Sequence, residues 1–231
     1  KGIGDDCAVV RFSKTDYGLL ACDMLVEGVH FTKAASPAAV GWKALGVNLS
    51  DVAAMGGRPR WAVVSLGLPP QTKTAYVDQL YRGLRRCAHR YGVNLVGGDT
   101  VGAKQVVVNV ALFGTVEKSR LVLRSQARAG DILMVTGLLG GSLASGKHLR
   151  FTPRFREARS LVAWLKPHAM IDLSDGLFSD LGQLCAASRL GAWIESERIP
   201  CAKGSTWQQA LTGGEDFELL LAVGLNEAEP L

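Results

Sequence analysis

The chain of 231 residues is 48% hydrophobic and carries a formal net charge of +5, which supplies apolar material for one large core or two ordinary ones. Lys and Arg are scattered, and their one dense cluster, Arg82, Arg85, Arg86 and Arg90, falls on a helical segment as a solvated face, which argues against a nucleic-acid partner. No apolar run reaches the about 18 residues of a membrane span, no signal-peptide pattern opens the chain, and five cysteines without a CxxC pair point to a reduced, cytoplasmic protein without structural zinc.

Cys7 to Phe12 and Gly18 to Val26 read as two strands of a hairpin, joined by the polar turn 13–17. Asp5 and Asp6 precede the first strand, and Asp23 lies near the end of the second, so pairing brings these carboxylates together. Ser36-Pro37 starts a helix expected to run to about Met55 and to stop at Gly56-Gly57. Within it Asn48 and Asp51 share a face. Trp61 to Leu68 is a strand ended by Pro69-Pro70. Thr72 to Tyr91 is an amphipathic helix with Val77, Leu80, Leu84 and Ala88 at helical spacing, stopped by Gly92. Val93 to Val96 is a short strand delivering Gly97-Gly98-Asp99-Thr100 at its end, and Val106 to Val116 is another. The order β-β-α-β-α-β-β predicts a mostly antiparallel sheet with two helices on one face, whose other face is left to be covered in a dimer.

A second unit is expected after residues 117–127, with the domains taken as 1–122 and 123–231. Its predicted elements are a strand Ile132 to Thr136, helices around Ser142 to His148 and Pro153 to Leu165, a strand Met170 to Leu173, a helix Leu177 to Ser188, and strands Ala192 to Glu195 and Phe217 to Val223. The chain opens without Met, almost directly on a motif, so residues are expected to be missing at both ends.

Acidic residues recur beside glycines or inside apolar runs: Asp5-Asp6, Asp23, Asp51, Asp99, the Asp172-Leu173-Ser174-Asp175 motif and Glu215-Asp216. An ionised carboxylate in such a setting needs a partner. Magnesium takes carboxylates and substrate phosphates as ligands, and glycines let backbone approach a phosphate. One such motif is ordinary turn chemistry; six together predict a metal and phosphate site. Gly141 to His148 nearly spells a phosphate-binding loop, but His148 stands where a Ser or Thr hydroxyl is needed, so Lys147 reads as a solvated helix residue. His30 reads equally as a substrate contact or a surface residue. Ser174, between two aspartates, suits phosphate or nucleotide binding better than nucleophilic attack.

Gly2-Ile3-Gly4-Asp5-Asp6-Cys7-Ala8, Asp23-Met24-Leu25-Val26-Glu27-Gly28-Val29-His30-Phe31, Asn48-Leu49-Ser50-Asp51-Val52-Ala53-Ala54-Met55-Gly56, Gly97-Gly98-Asp99-Thr100, Asp172-Leu173-Ser174-Asp175-Gly176-Leu177 and Gly214-Glu215-Asp216-Phe217-Glu218-Leu219 resemble, in order, the motif series of the thiamine-monophosphate kinase family. The resemblance implies an α/β (α+β) fold as in aminoimidazole ribonucleotide synthetase: an N-terminal sheet closing into a barrel across a homodimer, and a C-terminal α/β domain. It implies magnesium-dependent transfer of the ATP γ-phosphoryl to thiamine monophosphate. By motif, Asp6, Asp23, Asp51, Asp99, Asp172 and Asp175 would hold magnesium ions, with Asp51, Asp172 and Asp175 central to catalysis. Tyr81, Gly98, Asp99, Arg124 and Ser174 would contact ATP, and His30 and Glu215 the thiamine substrate. Ala21-Cys22 stands where the family has hydroxyl residues, so a metal contact at Cys22 would be weaker or come from its backbone carbonyl. Val101 replaces a frequent second Thr, and the family's C-terminal segment with an aromatic near the thiamine does not follow Leu231. Two other readings of the residues stay open: another ATP-using enzyme of the same superfamily, and a non-catalytic nucleotide-binding or metal-binding subunit of that fold.

Overall fold

The computed structural model describes residues 3–225; Gly2 of the first motif and residues 226–231 lie outside the described residues. β1 (Ala8–Arg11) and β2 (Asp16–Val26) form the expected hairpin, followed by α1 (Pro37–Ala54), β3 (Arg58–Leu68), α2 (Thr74–Tyr91), β4 (Asn94–Gly102) and β5 (Val107–Glu117). They build a five-stranded sheet of order β1-β2-β5-β3-β4, antiparallel except for the β3 and β4 pair. The two helices pack side by side because glycines let their backbones meet: a Cβ on Gly41 would lie 2.0 Å from the Leu80 carbonyl oxygen, and one on Gly83 would lie 1.9 Å from that of Ala38. Gly92 ends α2 in the left-handed conformation, as its sequence position predicts.

Strand alternation divides the sheet into two unlike faces. Leu19, Ala21, Leu25, Val64, Leu66, Val108, Val110 and Leu112 are buried under the helices. Leu20, Met24 and Val63 alternate with them and remain exposed, with Trp61 stacked on Phe113 at 5.5 Å. β4 is longer than expected: Gly97-Gly98-Asp99-Thr100 lies inside it, because parallel pairing with β3 continues as far as Gly102.

The second unit holds a three-stranded antiparallel sheet of order β6-β8-β7, from β6 (Ile132–Val135), β7 (Ala169–Asp172) and β8 (Leu219–Val223). Around it lie the short α3 (Ser142–Ser145), then α4 (Phe155–Trp164), α5 (Leu177–Ser188) and α6 (Trp207–Thr212). The α6 turn, absent from the sequence expectations, is fixed by a reciprocal capping box between Thr206 and Gln209. The expected strand at Ala192 to Glu195 does not form: Trp193 is 87% exposed and the segment pairs with no strand among the described residues, so local β propensity has no sheet to join. Lys147 is also not a solvated helix residue. It sits in a 3-10 turn with its Nζ 2.9 Å from the buried Glu218. A shared cluster of Ala53, Ala54, Val122, Val162, Met170 and Leu219 packs the end of α1 against the second unit, which puts Asp51 at the seam.

Candidate active site

The seam holds a cleft of about 220 Å³ lined by Asp23, His30, Val47, Asp51, Asp172, Ser174, Asp175, Glu215 and Phe217. At its buried end Asp6, Asp51 and Asp172 each offer a carboxylate oxygen within 4.8 Å of the others. They come from three separate elements. The Cys7 backbone N–H donates to Met55 Sδ at 3.0 Å and ties the first motif to the end of α1. Asp51 occupies the last turn of α1, and Asp172 ends β7.

Burial, reinforced by the neighbouring Asp23, Asp172 and Asp6, pushes the Asp51 carboxyl well up. Burial and the proximity of Asp6 do the same to Asp172. The C-terminal dipole of α1 adds partial negative charge where no basic residue compensates in its last turn. Burial also raises Asp23, whose Oδ2 is buried without a hydrogen-bond partner. The cation present is Arg124, which grips Asp6 through Nη2 at 2.5 Å and Nε at 3.3 Å and reaches Gln183 of α5 at 2.6 Å. One guanidinium cannot offset four clustered carboxylates. An all-oxygen donor set with an orphaned carboxylate oxygen fits magnesium.

The two remaining motifs are stitched together above this cluster. Glu215 N–H donates to the Ser174 carbonyl at 2.7 Å, and Phe217 N–H to that of Leu173 at 2.8 Å. A Cβ on Gly214 would lie 2.8 Å from the same Ser174 oxygen, so this approach requires glycine. Asp180 Oδ2 accepts the Asp175 and Gly176 backbone N–H groups at 3.0 and 3.1 Å and fixes the loop presenting Asp175. Burial pushes Asp180 up to about 7.

At the other end of the cleft His30 is held inward by its own turn, its Nδ1 accepting the Val26 N–H at 3.0 Å. Sequence reasoning passed over Lys43. It is fully buried, and its Nζ donates to Glu215 Oε1 at 2.6 Å and to the His30 carbonyl at 2.8 Å. Burial pushes its ammonium down while Glu215 raises it. Its spacing of four residues from Val47 and eight from Asp51 was the signal available.

Tyr81, Gly98, Asp99 and Cys22 are not brought to the cleft lining. Tyr81 is half-buried against the first unit's core. Gly98 pairs with Val64 in the sheet, and a Cβ there would lie 1.8 Å from the Val64 carbonyl oxygen. Asp99 pairs with the exposed Ser65 and shares its outward face. The Cys22 thiol donates to Asn109 Oδ1 at 3.4 Å on that face, opposite to Asp23, so its side chain is no ligand of the cluster and its carbonyl is the one route left to it.

Residues 4–116 match the family model described as AIR synthase related protein, N-terminal domain. The thiamine-monophosphate kinase of Rhodopirellula baltica is 37% identical, with 98% of this chain and 77% of the relative covered. That of Aquifex aeolicus is 37% identical, over 95% of this chain and 80% of the relative. The solved structure of AaThiL complexed with AMPPCP and TMP superposes with a TM-score of 0.91 at 36% identity, covering 99% of this chain and 82% of that one. With its motif series, its fold and these full-length similarities, the chain belongs to the thiamine-monophosphate kinase family.

Proposed function

We propose that the cleft transfers the γ-phosphoryl group of ATP directly to the phosphate of thiamine monophosphate, giving ADP and thiamine diphosphate. The observation that carries the reading is the carboxylate triad Asp6, Asp51 and Asp172 at one end of the cleft that holds His30 and Glu215. Two polyanions must meet there, and magnesium ions supply the charge screening that lets them. Asp6, Asp51 and Asp172, with Asp23 and Asp175 beside them, would hold those ions. Arg124, which grips Asp6 at the cluster, and Ser174, in the cleft lining, would contact ATP phosphates, and Gly98 and Tyr81 are assigned to ATP by motif alone. His30 and Glu215 face the thiamine moiety. The acceptor is an anionic phosphate oxygen near neutral pH, so the reaction needs no general base from the chain.

The exposed side chains Leu20, Met24 and Val63 form an unpartnered apolar sheet face, which supports a homodimer closing a barrel over it. Asp99, on that outward face, would then serve the cleft of the partner subunit. We draw the domain division at residues 122 and 123, between the five-stranded and three-stranded sheets. Five unpaired cysteines support placement in the reducing cytoplasm, and no helix among the described residues is long and apolar enough to cross a membrane.

The test is thiamine diphosphate formation from ATP and thiamine monophosphate with and without magnesium. Magnesium-dependent product is expected; ATP binding without product would leave a nucleotide-binding subunit.

A further inference from the structure

Lys43, Val47 and Asp51 follow one another at four-residue spacing along α1, so they form one ridge along the cleft. Eight residues of helix span about 12 Å. One end of the ridge is the carboxylate cluster. Its middle is apolar, with Val47 packed beside Phe217, whose ring stacks on Phe151 at 4.0 Å. The other end is the Lys43 ammonium, bonded to Glu215 and to the His30 carbonyl. A phosphate at one end and an amino-bearing ring at the far end match that order, with the flat thiazolium ring between them against the Val47 and Phe217 surface.

We infer that Lys43 is a positioning residue that sets the specificity of the acceptor site by locking Glu215 and the His30 turn into one wall. This rests on the proposed acceptor role of that wall. Glu215 sits in a backbone conformation with φ of 63°, on a loop where Phe217 also has positive φ, 50°. Such a loop holds its shape only when its surroundings over-determine it. The Lys43 bond consumes Glu215 Oε1 and leaves Oε2 for an amino group of the substrate. It also spares the cleft a net negative charge at the end away from the phosphates. Lys43 joins three segments distant in sequence, 27–31, α1 and 213–218, and touches neither the carboxylate cluster nor Arg124.

The experiment is steady-state kinetics with thiamine monophosphate and ATP varied separately, on the parent chain, Lys43→Met, Glu215→Gln and the double variant. Lys43→Met is expected to raise KM for thiamine monophosphate about 30-fold, as for a lost charge-assisted hydrogen bond, with KM for ATP changed less than about threefold. In the Glu215→Gln background the same change should cost less than about threefold, since the shared contact is already gone. If Lys43→Met does not fold, Lys43→Gln, which keeps an amide donor, is measured in its place. Equal increases in both KM values, or additive penalties in the double variant, would overturn the positioning role. A parent chain that forms no thiamine diphosphate refutes the proposed function instead, and a KM effect of Glu215→Gln without one of Lys43 refutes this inference alone.

Discussion

Asp51 and Glu218 are both buried carboxylates within residues of the same seam, yet their surroundings are opposite. Glu218 accepts from Thr136 at 2.8 Å, Lys147 at 2.9 Å and Arg154 at 2.6 and 2.9 Å. Burial by itself would raise its carboxyl, but Arg154 and Lys147 outweigh burial and hold it below the ordinary range. Asp51 faces three other carboxylates and is pushed well up. Two cations around one acid make a structural joint beside Thr136, where the start of β8 meets the end of β6. Four acids around one arginine leave an excess of negative charge that suits the proposed magnesium ions. Burial of charge alone does not distinguish the two; the local charge balance does.

The largest expected effect tests the unsatisfied side. Asp51→Asn should lower kcat about a thousandfold, because it removes stabilisation of the transferring phosphoryl charge. Its metal-free melting temperature should be no lower than that of the parent, since a repulsive charge has gone; a variant that melts earlier would make Asp51 structural and erase the contrast. On the satisfied side, Glu218→Ala should destabilise the fold by about 3 kcal/mol in denaturant titrations, the low end for a broken buried pair because Lys147 and Arg154 retain some access to water. A loss below about 0.5 kcal/mol would place Glu218 with ordinary surface ion pairs.

Magnesium should then separate the clusters by linkage. Saturating magnesium is expected to raise the parent melting temperature by about 5 °C, and Asp51→Asn should lose most of that shift while retaining the Glu218 network. An equal shift in both proteins would move the metal elsewhere.

The smallest effect concerns Glu117, a half-buried counterpart held by Arg159 at 2.7 and 2.9 Å. Its hydrogen bonds with Arg159 lower it from 4.5 to about 2. A lowered pKa means the pair stabilises above about pH 4.5 and the contribution fades as pH falls toward 2. Glu117→Gln should therefore cost about 1 kcal/mol at pH 7, discounted for solvent screening, and almost nothing near pH 2. A pH-independent loss would show that packing, not charge, is what was removed.

Much of the architecture was legible in the residues. Helix periodicity with Pro37 at the start and Gly92 at the end fixed α1 and α2 closely, because caps and apolar spacing are local properties. The Ala192 to Glu195 segment misled because a strand is defined by its partner, and none is adjacent among the described residues. Gly98 was legible as a glycine that something must approach closely; what approaches is the Val64 carbonyl of a neighbouring strand. Lys43 and Lys147 were both missed. A lysine reads as solvated until its partner is known, and those partners, Glu215 and Glu218, lie 172 and 71 residues away.

The sequence by itself determined the element order of the first unit, the acidic motif series and hence the family, since these depend on residue type and short spacing. Tertiary structure decided which acids share a charge balance. It gathered Asp6, Asp51 and Asp172 from three elements into one unsatisfied cluster, turned Asp99 and the Cys22 thiol to the opposite face of the sheet, and gave Glu218 its two cations. The reason is that the free energy of a buried charge depends on the few ångströms around it, and long-range packing alone sets that distance.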